Sequence, residues 1–244
     1  MACIVPQGLD QTFSPSRAVG AQNQFHSTLG IDAAASHFAP PDNRFRDLVG
    51  EASWAQLPPA VRRRFSKCIK PNEAVLYTGH VIETRLSRVG RLLSVLARAI
   101  GSPLPGPDGN TGAAAVSVMQ DERTGHQNWT RTYERSGQFP QVVHSMKRFS
   151  GPTGLEEYVG AGIGMSLGLT VENRTMVFRS CHYFIELGRF RLRLPQALSP
   201  GVMEIVHRDE PGYGALSNAF SFRLTLTHPL FGCLVHQLAY FKEA

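Results

Sequence analysis

The sequence predicts a mainly β fold, an antiparallel β-barrel or a strongly curved sheet, and three observations predict it. The first is the run from Ser217 to Phe241. There Phe220, Phe222, Leu224 and Leu226 alternate with Ser221, Arg223, Thr225 and Thr227, the period of two that marks a half-buried strand. His228-Pro229 ends it, because proline donates no ladder bond and restrains the residue before it. A second alternating run returns after Gly232, so the pair reads as a closing hairpin. The second observation is recurrence: from Ala113 onward, about nine or ten strand-length runs follow one another with turn residues between them. The third is size. A chain of 244 residues with 42% hydrophobic content has material for one large β-rich domain with a real core.

Taken in order, residues 1–42 mix Gln, Ser, Asn, Ala, Gly and Pro with few large apolar side chains. Such a composition buries little surface and predicts a flexible lead, leaving residues 43–244 as a single β-rich domain. Phe45, Leu48, Val49 and Trp54 stand at helical intervals with Gly50 weakening the middle, and Leu57-Pro58-Pro59 breaks the pattern. Val61, Phe65 and Ile69 continue at i, i+4, i+8, with Arg62-Arg63-Arg64 as a solvated face. Ala74 to Val81 reads as a strand. Ile82, Leu86, Val89, Leu93, Leu96 and Ile100 then make an apolar stripe predicting one long amphipathic helix, its arginines in solvent or on a membrane surface. Gly101 ends it. The later strands centre on Val116, Asn128–Glu134, Val142–Phe149, Leu155–Val159, Ile163–Val171, Met176–Phe184, Phe190–Leu194, Val202–His207 and the final hairpin. Gly160, Gly162 and Gly164 mark a bend or bulge.

The bulk numbers exclude several classes. Net charge is +6, and the only consecutive basic run is three residues long, so no nucleic-acid interface is indicated. Cys3, Cys68, Cys181 and Cys233 are far apart, with neither zinc nor disulfide-scaffold spacing. No signal peptide and no transmembrane segment are read, so a cytoplasmic protein is expected. No G-x-S-x-G, Walker loop or G-x-G-x-x-G after a strand occurs, and no cofactor is implied.

Several landmarks together carry a family resemblance: Trp54 with Leu57-Pro58, Tyr77-x-Gly79, Pro103-Leu104-Pro105, Trp129-x-Arg131, Leu155-Glu156-Glu157 to Gly160, Leu194-Pro195 with Pro200-Gly201, and His228-Pro229-Leu230-Phe231-Gly232. Their order and spacing resemble a bacterial domain of unknown function that occurs alone or follows a saccharopine-dehydrogenase-like NAD(P)-binding domain. The resemblance covers about Phe45 to Phe241. It implies a dehydrogenase as a possible partner protein and brings no established activity. Trp129-Thr130-Arg131 also loosely resembles calycin-type barrels, in which a tryptophan near a strand start packs against an arginine at the barrel floor.

Candidate site residues follow from strand parity. Trp129, Arg131 and Tyr133 share one face and are read as ligand-binding, with His144, Phe184 and Phe222. A charged Arg131 inside a barrel needs a partner, either Glu157 or an acidic ligand. Glu156 and Glu157 are adjacent and must point to opposite faces. His182 and His236 share the parity of apolar neighbours, so with Glu157 they are the candidates for acid–base work. The bland alternatives are a satisfied core histidine, an arginine stem over an aromatic ring, and a structural Glu–Arg pair. The expected function is binding of a hydrophobic, anionic small molecule, lipid or polyketide-like, in an internal cavity. One alternative is a cofactor-independent isomerase or cyclase using the same cavity. Another is an interaction module docking to a dehydrogenase.

Overall fold

The computed structural model describes residues 41–101, 104–106, 109, 111–211 and 219–244. All but the last two residues of the lead expected over 1–42 lie outside these. Eleven strands occur among the described residues: β1 (Ala74–Leu86), β2 (Gly112–Gln120), β3 (Gln127–Tyr133), β4 (Gln141–Arg148), β5 (Glu156–Gly160), β6 (Ile163–Glu172), β7 (Thr175–Leu187), β8 (Phe190–Arg193), β9 (Val202–Glu210), β10 (Ala219–His228) and β11 (Gly232–Glu243). They hydrogen-bond in the order β6-β5-β4-β3-β2-β1-β11-β10-β9-β7. β6 pairs again with β7, closing a ten-stranded antiparallel barrel, and β8 is an extra strand on the later half of β7. Closure removes the open edges that a sheet of this size would otherwise expose.

Period-two patterning sets which side chains fill the barrel. Val116 and Val118 of β2, Val143 of β4, Met165 and Leu167 of β6, Phe220, Phe222, Leu224 and Leu226 of β10, and Ala239 and Phe241 of β11 are buried in one core. Three short helices precede the sheet: α1 (Arg44–Val49), α2 (Glu51–Ala55) and α3 (Pro59–Phe65). Gly50 separates the first two at φ +77°, a conformation that favours glycine. Proline opens α3, where its missing N–H costs nothing. The helices add Phe45, Trp54, Val61 and Phe65 to the core, and the turn before α3 adds Leu57.

The long helix expected from Ile82 is shorter. β1 runs on to Leu86 because Glu83–Leu86 pair with Val235–Leu238 of β11 after a bulge at Val81/Glu83. Ladder pairing thus takes residues whose spacing also suits a helix. Ser87 then caps α4 (Arg88–Leu96), its Oγ accepting from the Gly90 N–H at 3.1 Å, and a 3₁₀ turn, Ala97–Ile100, ends at Gly101. α4 sits tightly on β11: a Cβ at Gly90 would overlap the Leu234 carbonyl oxygen. Meanwhile the Arg64 guanidinium of α3 lies 3.7 Å over the ring of Phe220, which pairs with Phe241. Leu234 and Phe241 are seven positions apart on β11, about 24 Å along a strand. The helices before and after β1 therefore cover opposite ends of the barrel.

Candidate functional site

At the α3 end the barrel interior holds a narrow cavity of about 40 Å³. Its walls are mostly aromatic and aliphatic, with Phe65, Tyr77, Val118, Phe222 and Phe241 among them, and Lys67 at the rim ion-pairs with Glu243. Besides Lys67, Arg131 and two tyrosines, four polar side chains break the apolar wall: Arg64 from α3, Gln127 and Trp129 from β3, and His207 from β9. Each has a solvent-sealed atom without a hydrogen-bond partner: Arg64 Nη1, Gln127 Oε1, Trp129 Nε1 and His207 Nδ1. Buried polar atoms are nearly always paired, so four orphans on one small cavity are unusual. Trp129 and Gln127 face inward because β3 alternates with Arg131 and Tyr133. His207 faces inward because β9 alternates Met203, Ile205 and His207.

The interior carries more positive than negative charge. Beside Arg64 stand Arg131 and Lys147, against one carboxylate, Glu157, all three of the latter group buried. Lys147 Nζ lies 3.1 Å from Glu157 Oε2, and Arg131 Nη2 lies 3.4 Å from Glu157 Oε1. Arg131 Nη1 also donates to Ser145 Oγ at 2.9 Å. Lys147 is 4.5 Å from the Trp129 ring centre and Arg131 is 5.7 Å from it. Burial alone would raise the Glu157 pKa, but Lys147 and Arg131 outweigh it and hold the carboxyl at about 2. Burial depresses the pKa of His207, and Arg64, Lys147 and Arg131 depress it further, so the imidazole is neutral. Burial lifts Tyr77 to about 12, keeping its phenol protonated. The cavity thus offers two unpaired N–H donors, a neutral imidazole and a surplus of positive charge, beside one amide acceptor, Gln127 Oε1, a set that suits an anionic group.

The structure brings five of the sequence-derived residues to this interior. Trp129, Arg131, Tyr133 and Phe222 line the cavity, and Glu157 lies behind Arg131. Glu156 points the opposite way, as adjacency on a strand requires. Four others are corrected. His144 is on the outer face, 3.0 Å from Thr130 Oγ1 across the β3–β4 ladder, while Val143 and Ser145 point in. His236 is outer too: Val235, Gln237 and Ala239 fill the barrel, and the alternate set of β11, which read as the apolar face, faces out beside Arg223 and Glu204. A bulge at Ser166/Leu167 against Ser180–His182 shifts the parity of β7. Tyr183 consequently faces in, while His182 and Phe184 face out. Phe184 is buried even so, under the Arg191 guanidinium at 3.6 Å and beside Tyr158. That outer cluster is an ion-pair network: Glu156 binds Arg148 and Arg191, and Tyr158 donates to Glu186 at 2.8 Å.

Sequence reasoning missed Arg64, Gln127, Lys147 and His207. Arg64 sits three residues after Val61, on the edge of the helical stripe and not on its solvent face. Among the described residues, no group of three His, Cys, Asp or Glu side chains could hold a metal ion. No described helix is long and apolar enough to cross a membrane.

The sequence profile of the family described as Domain of unknown function (DUF4166) matches residues 57–241. The match covers well over half of the chain, and the chain belongs to that family. No curated protein and no solved structure matches it.

Proposed function

We propose that this DUF4166 barrel binds a small organic anion, taking the anionic group into the cavity at its α3 end. The observation that carries the reading is the convergence of two orphaned donors, Arg64 Nη1 and Trp129 Nε1, with a surplus of positive charge around one cavity. Arg64 Nη1 and Trp129 Nε1 donate to the anion, Arg131 and Lys147 supply positive potential, and the surrounding aromatic rings take an apolar body. The volume narrows the ligand. About 40 Å³ suits a compact carboxylate, whereas sites for drug-sized molecules span about 300–1,000 Å³. A long acyl chain does not fit this space. Calorimetric titration with a series of short-chain carboxylates and their neutral amides tests the reading. The acids bind and the amides do not. Arg64→Met weakens binding about tenfold or more, the worth of a charge-assisted hydrogen bond. Equal affinity for acid and amide, or an unaffected Arg64→Met variant, contradicts it.

One observation favours a second reading, an acid–base enzyme acting on the bound anion. His207 lines the cavity, is neutral and has a solvent-sealed Nδ1 without a hydrogen-bond partner, as a proton acceptor requires. Glu157 is the poorer candidate, since two cations hold it ionised. Exchange of ligand protons into heavy water, present in the wild type and lost in His207→Gln, supports this reading. Binding without exchange supports binding alone.

A further inference from the structure

The opposite end of the barrel has a different character, and nothing in the cavity reading uses it. Under α4 lies an apolar groove of about 430 Å³, walled by Leu93, Ala97 and Ile100 on one side and by Met165, Tyr183 and Met203 on the other. α4 turns Gly90, Ser94 and Ala97 toward the barrel, all buried. Its other surface is divided between arginines and apolar side chains. At about 100° per residue, the exposed arc runs Arg91, Val95, Arg88, Leu92, Leu96, Val89. Leu92 is 61% exposed and Leu96 63%. Leu198 and Phe231, both on the groove, are 71% and 57% exposed. A helix that exposes leucines beside arginines suits the boundary between an apolar and a charged phase.

Charge decides which phase. The stretch from Thr84 to Gly101 contains no Asp or Glu. Arg88, Arg91 and Arg98 are exposed and have no ion-pair partner among the described residues. They flank the leucines on one side, so a single approach seats leucines in hydrocarbon and arginines among anionic headgroups. We infer that the α4 end docks on anionic lipid bilayers, with α4 lying flat in the interface and Leu92, Leu96 and Phe231 inserted. The arrangement is peripheral: the helix is nine residues long, too short to span a bilayer.

Sedimentation of the full chain with vesicles tests this. One set is phosphatidylcholine alone, the other phosphatidylcholine mixed with phosphatidylserine. The chain is expected to pellet with the mixed vesicles, less so at high salt, and to stay in solution with the neutral ones. Arg88→Gln with Arg91→Gln weakens partitioning about thirtyfold, from roughly 1 kcal/mol per basic residue at the surface. Leu92→Ser with Leu96→Ser abolishes it. Both pairs are exposed, and unchanged melting temperatures establish that the variants fold. No binding to mixed vesicles overturns the inference, as does binding that both variants retain. Light scattering completes the test. A dimer that Leu92→Ser with Leu96→Ser dissociates assigns this face to a second copy of the chain, and also overturns it.

Discussion

The two ends of this barrel use the same strands for opposite purposes. At the α3 end, β3, β9 and β10 present aromatic rings, cations and orphaned donors around a space with room for little more than a head group. At the α4 end, β6, β9 and β10 present Met165, Met203 and Leu226 to a groove ten times larger that has almost no polar wall. On β9 the change takes only the step from His207 to Met203, four residues. Strand geometry fixes which residues share a face but leaves each position free to be polar or apolar. One closed sheet therefore supports an electrostatic site and an apolar site that need not interact. Opposed chemistry also predicts opposed sensitivity. The α3 end responds to pH and charge, the α4 end to shape and surface apolarity.

The sharpest way to break that comparison is Glu157→Leu. It leaves Lys147 and Arg131 buried without a counter-charge, and a loss of about 3–5 kcal/mol is expected in chemical denaturation. Arg131→Leu is milder, at about 1.5–3 kcal/mol, since Lys147 still neutralises Glu157. A larger loss for Arg131→Leu than for Glu157→Leu would mean that the interior is not cation-rich.

Acid acts through the same end. Glu157 titrates at about 2 when folded against an ordinary 4.5. Its contribution is fully present above pH 4.5 and is lost as pH falls through 4.5 toward 2. His207 is held neutral when folded but binds a proton below about pH 6.5 when unfolded, so its contribution to acid loss begins at the higher pH. In stability measured against pH, His207→Gln removes the limb below 6.5 and Glu157→Leu the limb below 4.5. Mutations under α4 leave both limbs in place. Gly90→Ala tests that end instead. The added methyl overlaps the Leu234 carbonyl, and an overpacking cost of about 1–3 kcal/mol outweighs the helix-propensity gain. Leu92→Ser closes the series, with a change within about 0.5 kcal/mol, because the side chain is largely exposed.

The barrel was readable because period two is written into each strand. Phe220 to Leu226 specify their face without help, and every later strand was placed within a few residues. The boundary between β1 and α4 was not readable. Ile82 and Leu86 suit both periods, and only the β11 partner decides between them. The site was half legible. β3 gives Trp129 and Arg131 on one face by simple parity, and Glu157 follows as a partner. His182 and Phe184 were misassigned because a single extra residue, Cys181, inverts the parity of β7. His236 was misassigned because β11 is apolar on both faces, so alternation does not rank them. His207 had a signal in Met203 and Ile205, weakened by Val202 and Val206 on the other face. Nothing local marks Lys147 as buried. Its reason is Glu157, on the next strand.

The most direct test of an anion site at the α3 end is the indole Nε1–H resonance of Trp129, one of two tryptophans in the chain. Titration with a compact carboxylate is followed in ¹⁵N-labelled protein. Its neutral amide serves as the control. A saturable downfield shift of Trp129 is expected with the carboxylate, none for Trp54, and none for either resonance with the amide. A Trp129 resonance that stays put with the acid, or moves equally with the amide, contradicts it.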